Sequence, residues 1–439
     1  MSLKTTSTRH FGHNLKEHTL TVPWDPQNPA ARTFELYARE IYADGNEEKP
    51  AIVYLEGGPG FPSPRPFGGA GKVAGSEIGG VVGKALEEFR FILLDQRGTG
   101  RSHRIDSASP AEDLSVERLS KLQQSYIVDD AEALRKALGI EKWSLFGQSF
   151  GGFCITSYLS RYPEAIEHAY LTGGLPATSV GIDDVYRSTF DKVKARHQGL
   201  YREYPWIDDR IREVCHHLDQ SQELLPTGER LSARRLRTIG ITLGQGPGFH
   251  TLAYLFEDPF RTVGGEKRLK TDFLSSVSGM VSFADGPLYA AIHESIYGGV
   301  VTPGATNWSA HRIREEIPGF EENADPRSKN EPFYLTGEHV FPWQFDEDPA
   351  LHAFREGAHD LAQYNFQASP YDREVLATAP VSAAATYFDD MYVPFELSLD
   401  TARAYADCRL HVTNLYQHDG IGYAGEDIFT ALRDKVRDF

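Results

Sequence analysis

The sequence predicts an α/β fold in which a mostly parallel sheet with crossover helices is interrupted by a largely helical insertion. Short apolar runs of strand length alternate with segments of helical spacing over the first part of the chain, as in a parallel sheet with crossover helices. Helical spacing then dominates a long middle region, and strand patterns return only near the C-terminus. We therefore divide the 439 residues into a core at 1–176 and 376–439 and a helical cap insertion at 177–375.

The individual elements follow from apolar spacing and from turn residues. Gly139 marks the end of the first predicted helix, because glycine is common directly after a helix. In chain order we predict an antiparallel edge pair of strands at 15–22 and 33–42, strands at 51–55 and 91–94, a helix at 129–138, a strand at 143–146, a helix at 153–159 and a strand at 168–171. Helices at 185–201, 209–218, 233–243 and 267–283 form the insertion, and a strand at 381–388, a helix at 395–405, a strand at 410–416 and a helix at 426–436 complete the core.

Charge and composition narrow the classes of partner. The chain carries 45 Lys and Arg against 62 Asp and Glu, a formal net charge of −17, which argues against nucleic acid and against an anionic membrane surface. No apolar run approaches the roughly 18 residues that a membrane span needs, and the N-terminal residues lack the apolar centre of a signal peptide. Three cysteines leave at least one unpaired and show no metal-ligand spacing. We expect a cytoplasmic protein with no metal or other cofactor, and oligomers remain possible.

The strongest chemical signal is the segment Gly147-Gln148-Ser149-Phe150-Gly151, which matches G-x-S-x-G. A predicted strand precedes it and a predicted helix follows it, as the motif requires. In that context the serine occupies a strained strand-to-helix turn, with its hydroxyl exposed beside a helix N-terminus that stabilises negative charge. We therefore predict that Ser149 is a nucleophile.

A serine nucleophile needs a base, an acid that orients the base, and donors for the oxyanion. With this motif the chain order is serine, acid, histidine. The two strands after the insertion end at Asp389-Asp390 and at Gln417-His418, so His418 is the predicted base. Neighbouring residues of an extended segment point in opposite directions, so only one of Asp389 and Asp390 can face His418.

Backbone N–H groups are predicted to bind the oxyanion. One donor is the N–H of Phe150, directly after the nucleophile, and the other comes from the first glycine-rich loop, where Gly57 or Gly58 can supply it. Glycine allows a backbone donor to approach the substrate closely.

Three glycine-rich segments together resemble the proline iminopeptidases (prolyl aminopeptidases), which are α/β-hydrolase-fold serine peptidases with a helical cap. The segments are EGGPG at residues 56–60, DQRGTGRS at residues 95–102 and GQSFGG at residues 147–152. Their order and spacing resemble the family over the predicted core, and the long cap resembles its larger-subunit branch. The resemblance implies release of an N-terminal residue, chiefly proline, from peptides or amino-acid amides through an acyl-enzyme on Ser149.

The resemblance also implies roles for single residues. The family's acid lies four residues before a proline, which matches Asp390 and Pro394, and its histidine in the next loop matches His418. Family members recognise the substrate's free amino group with cap glutamates. Glu294 and Glu338 are the candidates, because each lies among aromatic and apolar residues.

The sequence departs from the family pattern at two places. Glu56 stands where the first motif usually begins with histidine, and Asp419-Gly420 after the histidine differs from the pattern of the shorter branch. Two alternatives to a prolyl aminopeptidase follow from the same residues. One is another serine hydrolase of this fold, either an esterase or amidase or an aminopeptidase of broader specificity. The other is a non-catalytic binding protein, which the complete set of candidate catalytic residues disfavours.

Overall fold

A nine-stranded sheet forms the centre of the structure, a computed structural model that describes residues 2–10, 12–28, 30–69, 72–74 and 80–437. The strands of the chain are β1 Leu3–His10, β2 His13–Pro23, β3 Thr33–Tyr42, β4 Ala51–Leu55, β5 Phe67–Gly69, β6 Lys72–Ala74, β7 Arg90–Leu94, β8 Trp143–Gln148, β9 Ile166–Thr172, β10 Phe260–Val263, β11 Glu266–Leu269, β12 Ser382–Tyr387 and β13 Cys408–Thr413. The order across the sheet is β1-β2-β3-β7-β4-β8-β9-β12-β13, and β5-β6 and β10-β11 form separate two-stranded pairs.

The sheet is mostly parallel, as the sequence predicts. Strands β1, β2 and β3 pair antiparallel with one another, and β3 pairs antiparallel with β7. All pairs from β7 to β13 across the sheet are parallel. The predicted strands are confirmed, but the predicted edge position of the pair β2 and β3 is wrong, because β1 lies at the edge of the sheet. Strand β1 was not predicted, because its exposed polar residues give no apolar pattern.

Helices connect the parallel strands and fill the long segment between β9 and β12. They are α1 Val81–Ala85, α2 Val116–Leu119, α3 Gln124–Ala137, α4 Phe150–Arg161, α5 Ile182–Glu203, α6 Ile207–Gln220, α7 Ala233–Arg237, α8 Gly248–Phe256, α9 Thr271–Val281, α10 Pro287–Ile292, α11 Ser309–Arg314, α12 Gln344–Glu347, α13 Arg355–Gln363, α14 Arg373–Leu376, α15 Phe395–Ala402 and α16 Gly420–Arg437, the last kinked at Ala424. Short 3₁₀ helices span Ser120–Leu122, Pro163–Ala165, Thr238–Gly244, Glu294–Tyr297 and Pro349–Phe354. The segment between β9 and β12 is thus largely helical, while the cap bounds at 177 and 375 stay a prediction.

Two predicted cap helices differ from the structure. The predicted helix at 267–283 starts only at Thr271, because residues 266–269 form β11 of a hairpin with β10. Gly264 and Gly265, with φ of 59° and 88°, make the two-residue turn of that hairpin, and such turns favour Gly-Gly. The predicted helix at 233–243 is α-helical only to Arg237 and continues as the 3₁₀ helix to Gly244.

Two apolar layers cover the two faces of the sheet. Alternate residues of β4 face opposite layers, so that Ile52 and Tyr54 pack with α1 and α16, whereas Val53 and Leu55 pack with α3 and α4. The layer of α3 and α4 continues without interruption into buried cap residues such as Phe190 and Phe341. The cap is therefore packed onto the core through shared apolar contacts. No helix in the described part of the chain is long and apolar enough to cross a membrane.

Candidate active site

Ser149 occupies a strained turn between β8 and α4. Its backbone has φ 53° and ψ −123°, a conformation that costs energy for a residue with a side chain and that is typical of a nucleophile elbow. Close packing makes the flanking glycines necessary. A methyl group on Gly151 would lie 1.9 Å from the carbonyl oxygen of Leu55, and one on Gly147 would lie 2.6 Å from the carbonyl carbon of Gly151.

His418 and Asp390 form a buried hydrogen-bonded pair. His418 Nδ1 lies 2.7 Å from Asp390 Oδ2, and the Asp390 side chain also accepts hydrogen bonds from the N–H groups of Tyr392 and Val393 at 2.8 and 3.0 Å. Asp390 is 1% exposed, whereas Asp389 is exposed to solvent. The geometry thus orients His418 through Asp390 and leaves Asp389 outside the pair.

The nucleophile and the histidine both approach the turn after β9. The N–H of Ser149 donates to the carbonyl oxygen of Thr172 at 3.0 Å. A methyl group on the next residue, Gly173, would lie 3.2 Å from the ring of His418. Among the described residues no hydrogen bond joins Ser149 Oγ to His418, so their pairing stays a prediction.

Opposing effects set the pKa of His418. Burial would lower this pKa, but the charge and hydrogen bond of Asp390, with further negative charge from Glu338 and Asp419, outweigh burial and raise the pKa above its ordinary 6.5. A raised pKa makes the histidine a stronger base, and such tuning is common at catalytic sites.

The first glycine-rich loop lies directly against the nucleophile. A methyl group on Gly57 would be 3.0 Å from Ser149 Cβ. However, the N–H of Gly57 donates to the carboxylate of Glu56 at 2.9 Å, so this donor is engaged. The backbone of Gly58 has φ 86°, which favours glycine. Phe150 begins α4, and the first N–H groups of a helix have no partner inside it.

The two arginines of the DQRGTGRS loop have structural partners. Arg97 is fully buried and makes two hydrogen bonds of 2.7 and 2.8 Å with the carboxylate of Asp130. Arg101 is half exposed and bonds Glu17 at 2.8 Å. Asp95 of the same loop is buried and binds Arg65. These contacts fix the loop beside the strand ends.

Glu294 is buried at the start of a cap helix. Its two carboxylate oxygens accept hydrogen bonds from the N–H groups of Ser309 and Ala310, at 3.0 and 3.1 Å. These are the first residues of α11, so Glu294 satisfies N–H groups that a helix leaves unpaired. Burial raises the pKa of Glu294 despite these bonds.

Glu338 has a different environment, within electrostatic reach of His418. Its side chain is partly exposed, and Oε1 accepts a hydrogen bond from the hydroxyl of Tyr289 at 2.9 Å. Tyr289 in turn touches the first glycine-rich loop, because a methyl group on Gly60 would lie 2.9 Å from the Tyr289 nitrogen. Glu338 also contributes to the raised pKa of His418. Glu338, unlike Glu294, therefore has a carboxylate that backbone donors do not saturate, within electrostatic reach of His418.

Sequence reasoning missed two aromatic residues at this site. Tyr289 positions Glu338 through its hydroxyl, and burial together with Glu338 raises the pKa of Tyr289 well above its ordinary value, so that it remains a donor. The ring of Tyr392 lies 4.8 Å from the ring of His418. Tyr392 follows the predicted acid by two residues, which was a usable signal, whereas nothing near Tyr289 pointed to Glu338.

Comparisons with known proteins identify the fold and the family of the chain. The family described as alpha/beta hydrolase fold matches residues 50–244. A proline iminopeptidase from Aeromonas sobria is 37% identical over 437 residues, covering 97% of this chain and 97% of that protein. The proline iminopeptidase aneH from Aspergillus aculeatus is 28% identical over 433 residues, covering 95% of this chain and 92% of that protein.

A crystal structure of a proline iminopeptidase from Mycobacterium smegmatis has 13% identity and a TM-score of 0.45, over 95% of this chain and 97% of that chain. That likeness is too low to support a conclusion. The similarity to the Aeromonas protein spans nearly the full length of both chains. The chain therefore belongs to the proline iminopeptidase family, on the α/β-hydrolase fold.

Proposed function

We propose that this protein is a serine aminopeptidase that releases N-terminal proline from peptides. Full-length similarity to proline iminopeptidases supports the reaction class. The observation that carries the specificity is the carboxylate of Glu338, held by Tyr289 within electrostatic reach of His418. An ester pocket for neutral substrates has no need of a carboxylate there, whereas a free amino terminus does.

The catalytic steps are assigned to Ser149, His418 and Asp390. Neutral His418 takes the hydroxyl proton of Ser149 through Nε2, while Nδ1–H donates to Asp390 and keeps the ring in the required tautomer. The serine oxygen attacks the prolyl carbonyl carbon. His418 then gives its proton to the leaving amine, and water hydrolyses the prolyl-enzyme with His418 again as base.

The oxyanion donors are the N–H groups of Phe150 and Gly58. We choose Gly58 over Gly57 because the Gly57 N–H already donates to Glu56. The N–H of Phe150 lies at the N-terminus of α4, where the helix dipole also stabilises the negative charge of the oxyanion. Fixed donors of this kind stabilise the developing charge without reorganisation during the reaction.

Glu338 is assigned to the substrate's ammonium group, and Glu294 to the structure of the cap. A prolyl ammonium carries two N–H donors, and Glu338 Oε2 makes no hydrogen bond within the described part of the chain. Both oxygens of Glu294 are engaged by the backbone of α11. A salt bridge to Glu338 orients the substrate so that its carbonyl faces Ser149.

The test compares three substrates: prolyl-β-naphthylamide, its N-acetylated form and an acyl ester. We expect wild-type protein to hydrolyse the free-amine prolyl substrate, with little activity on the other two. Ser149→Ala, expressed and folded to the same extent by circular dichroism, should lose the prolyl activity. Equal turnover of the N-acetylated substrate or of the ester contradicts the aminopeptidase assignment, and activity that survives in Ser149→Ala contradicts the nucleophile.

A further inference from the structure

A cap segment contacts both loops that carry the catalytic pair. The segment comprises residues 241–246, at the end of the 3₁₀ helix Thr238–Gly244. The hydroxyl of Tyr392, in the acid loop, donates to the carbonyl oxygen of Ile241. The N–H of His418 itself donates to the carbonyl oxygen of Gly244 at 3.2 Å. The backbone of the candidate base is therefore held by the cap.

The third contact comes from the residue after the histidine. Both carboxylate oxygens of Asp419 accept from the N–H of Gly246, at 2.9 and 3.1 Å. Asp419 also interacts with the hydroxyl of Tyr423. This residue belongs to the Asp419-Gly420 pair that departs from the pattern of the shorter family branch. In the structure, Asp419 therefore has a hydrogen-bond partner in the long cap, the N–H of Gly246.

The cap segment is itself well supported. Arg196 of α5 donates from Nε to the carbonyl oxygen of Leu243 at 3.0 Å. Packing against the acid loop is close, since a methyl group on Gly244 would lie 2.4 Å from the ring of Tyr392. By contrast, the histidine loop is open to solvent just before His418, where Leu415 is 80% exposed. The cap therefore supports this loop on the side that faces residues 241–246.

We propose that Asp419 is a positioning residue, which clamps the His418 loop to cap residues 241–246 and so places the imidazole for proton transfer. The cap then serves catalysis as well as recognition of the substrate. This inference rests on the proposed role of His418 as the base. Misplacement of a catalytic group by about 1 Å can cost on the order of 100-fold in rate, so a backbone clamp next to the base has a measurable effect.

The experiment separates the hydrogen bond of Asp419 from its charge. Asp419→Ala removes both, whereas Asp419→Asn removes the charge but keeps an oxygen that accepts from Gly246. The readouts are kcat and KM for prolyl-β-naphthylamide and the rate of labelling of Ser149 by a fluorophosphonate. Labelling reports the reactivity of Ser149 without requiring the proline pocket, so failure of the clamp is distinguishable from failure of the proposed function.

We expect Asp419→Ala to lower kcat and the labelling rate about tenfold or more, with KM within about twofold of wild type. Asp419→Asn should retain most of both rates. Because Asp419 adds to the raised pKa of His418, both variants should move the acid limb of the labelling rate to lower pH. Only Asp419→Ala should lower the plateau at high pH.

Two further variants keep the test decisive. Asp389→Ala removes an exposed carboxylate near the same loops and should leave the plateau unchanged. Tyr392→Phe breaks the contact with Ile241 and should lower the plateau in the same way, which covers the case in which Asp419→Ala does not fold. An unchanged plateau of the labelling rate in folded Asp419→Ala overturns the proposal, and where Asp419→Ala does not fold, an unchanged plateau in Tyr392→Phe overturns it. Equal losses in Asp419→Ala and Asp419→Asn also overturn it, since charge and not the clamp would then be responsible.

Discussion

At the carboxyl edge of the sheet, sequence position predicts the partner of an acidic residue. In the cap, sequence position does not predict the partner. At the sheet edge, Asp390 lies in the loop after β12 and forms a hydrogen bond with His418, which lies in the loop after β13. In the cap, Glu294 and Glu338 lie in similar aromatic surroundings in the sequence. In the structure, however, Glu294 caps α11, whereas Glu338 binds Tyr289 within electrostatic reach of His418. Position after a parallel strand therefore predicts which acidic residue contacts His418, whereas local composition in the cap does not separate the two glutamates.

Substitution of the two neighbouring aspartates should give the largest contrast. Asp390→Asn removes the charge that fixes the histidine tautomer, and we expect kcat to fall about 10⁴-fold. Asp389→Asn alters only an exposed carboxylate and should leave kcat unchanged. Steady-state kinetics with prolyl-β-naphthylamide measures both. Comparable activity of the two variants would contradict the assignment of the acid.

The two arginines of the DQRGTGRS loop form ion pairs that differ in burial, and their substitution should differ in its effect on stability. Arg97→Met leaves Asp130 buried without its partner, which should lower the free energy of unfolding by about 3–5 kcal/mol. Arg101→Met breaks a half-exposed ion pair and should cost less than about 1 kcal/mol. Urea denaturation followed by circular dichroism measures the two changes. Equal urea midpoints for Arg97→Met and Arg101→Met would show that burial of the ion pair does not determine how much it contributes to stability.

Glu294→Gln tests the structural side of the cap comparison. A glutamine can offer only one oxygen to the start of α11, and its amide then faces a backbone N–H as donor against donor. We expect the free energy of unfolding to fall by about 1–3 kcal/mol, while the preference for free-amine over N-acetylated substrate persists. Loss of that preference at unchanged stability would assign Glu294 to the substrate.

The smallest expected effect is a shift in pH dependence. His418 must be neutral to act as base, so activity is lost as the pH falls through its raised pKa. Glu338 contributes to raising that pKa, and Glu338→Gln should therefore move the acid limb to lower pH. Fluorophosphonate labelling across pH measures this without involving the substrate amine. If the acid limb of the labelling rate in Glu338→Gln stays at the wild-type pH or moves to higher pH, the proximity of Glu338 to His418 is contradicted.

The core was predictable because its signals are local. The strand, the G-x-S-x-G turn and the following helix lie within 20 residues of one another, and the structure reproduces the predicted turn at Ser149. The exposed edge strand β1 was missed because pairing with β2, and not apolar patterning, maintains it.

The cap contacts were not predictable because they join distant residues. Tyr289 reaches Glu338 across 49 positions, and Gly246 reaches Asp419 across 173. No spacing rule connects such pairs, so the sequence left Glu294 and Glu338 equivalent. Likewise, the N–H of Gly57 is engaged only because of the conformation of the Glu56 side chain. The sequence therefore could not distinguish Gly57 from Gly58 as the oxyanion donor.

Recognition of the substrate's ammonium group by Glu338 can be tested with one ratio. The ratio is kcat/KM for prolyl-β-naphthylamide over kcat/KM for cyclopentanecarbonyl-β-naphthylamide, which has the same ring size without the amine. We expect a large ratio in wild type and a fall of about 100-fold in Glu338→Gln, borne by the prolyl substrate alone, with Glu294→Gln as the matched control. An unchanged ratio in Glu338→Gln, or an equal fall in Glu294→Gln, would contradict the account.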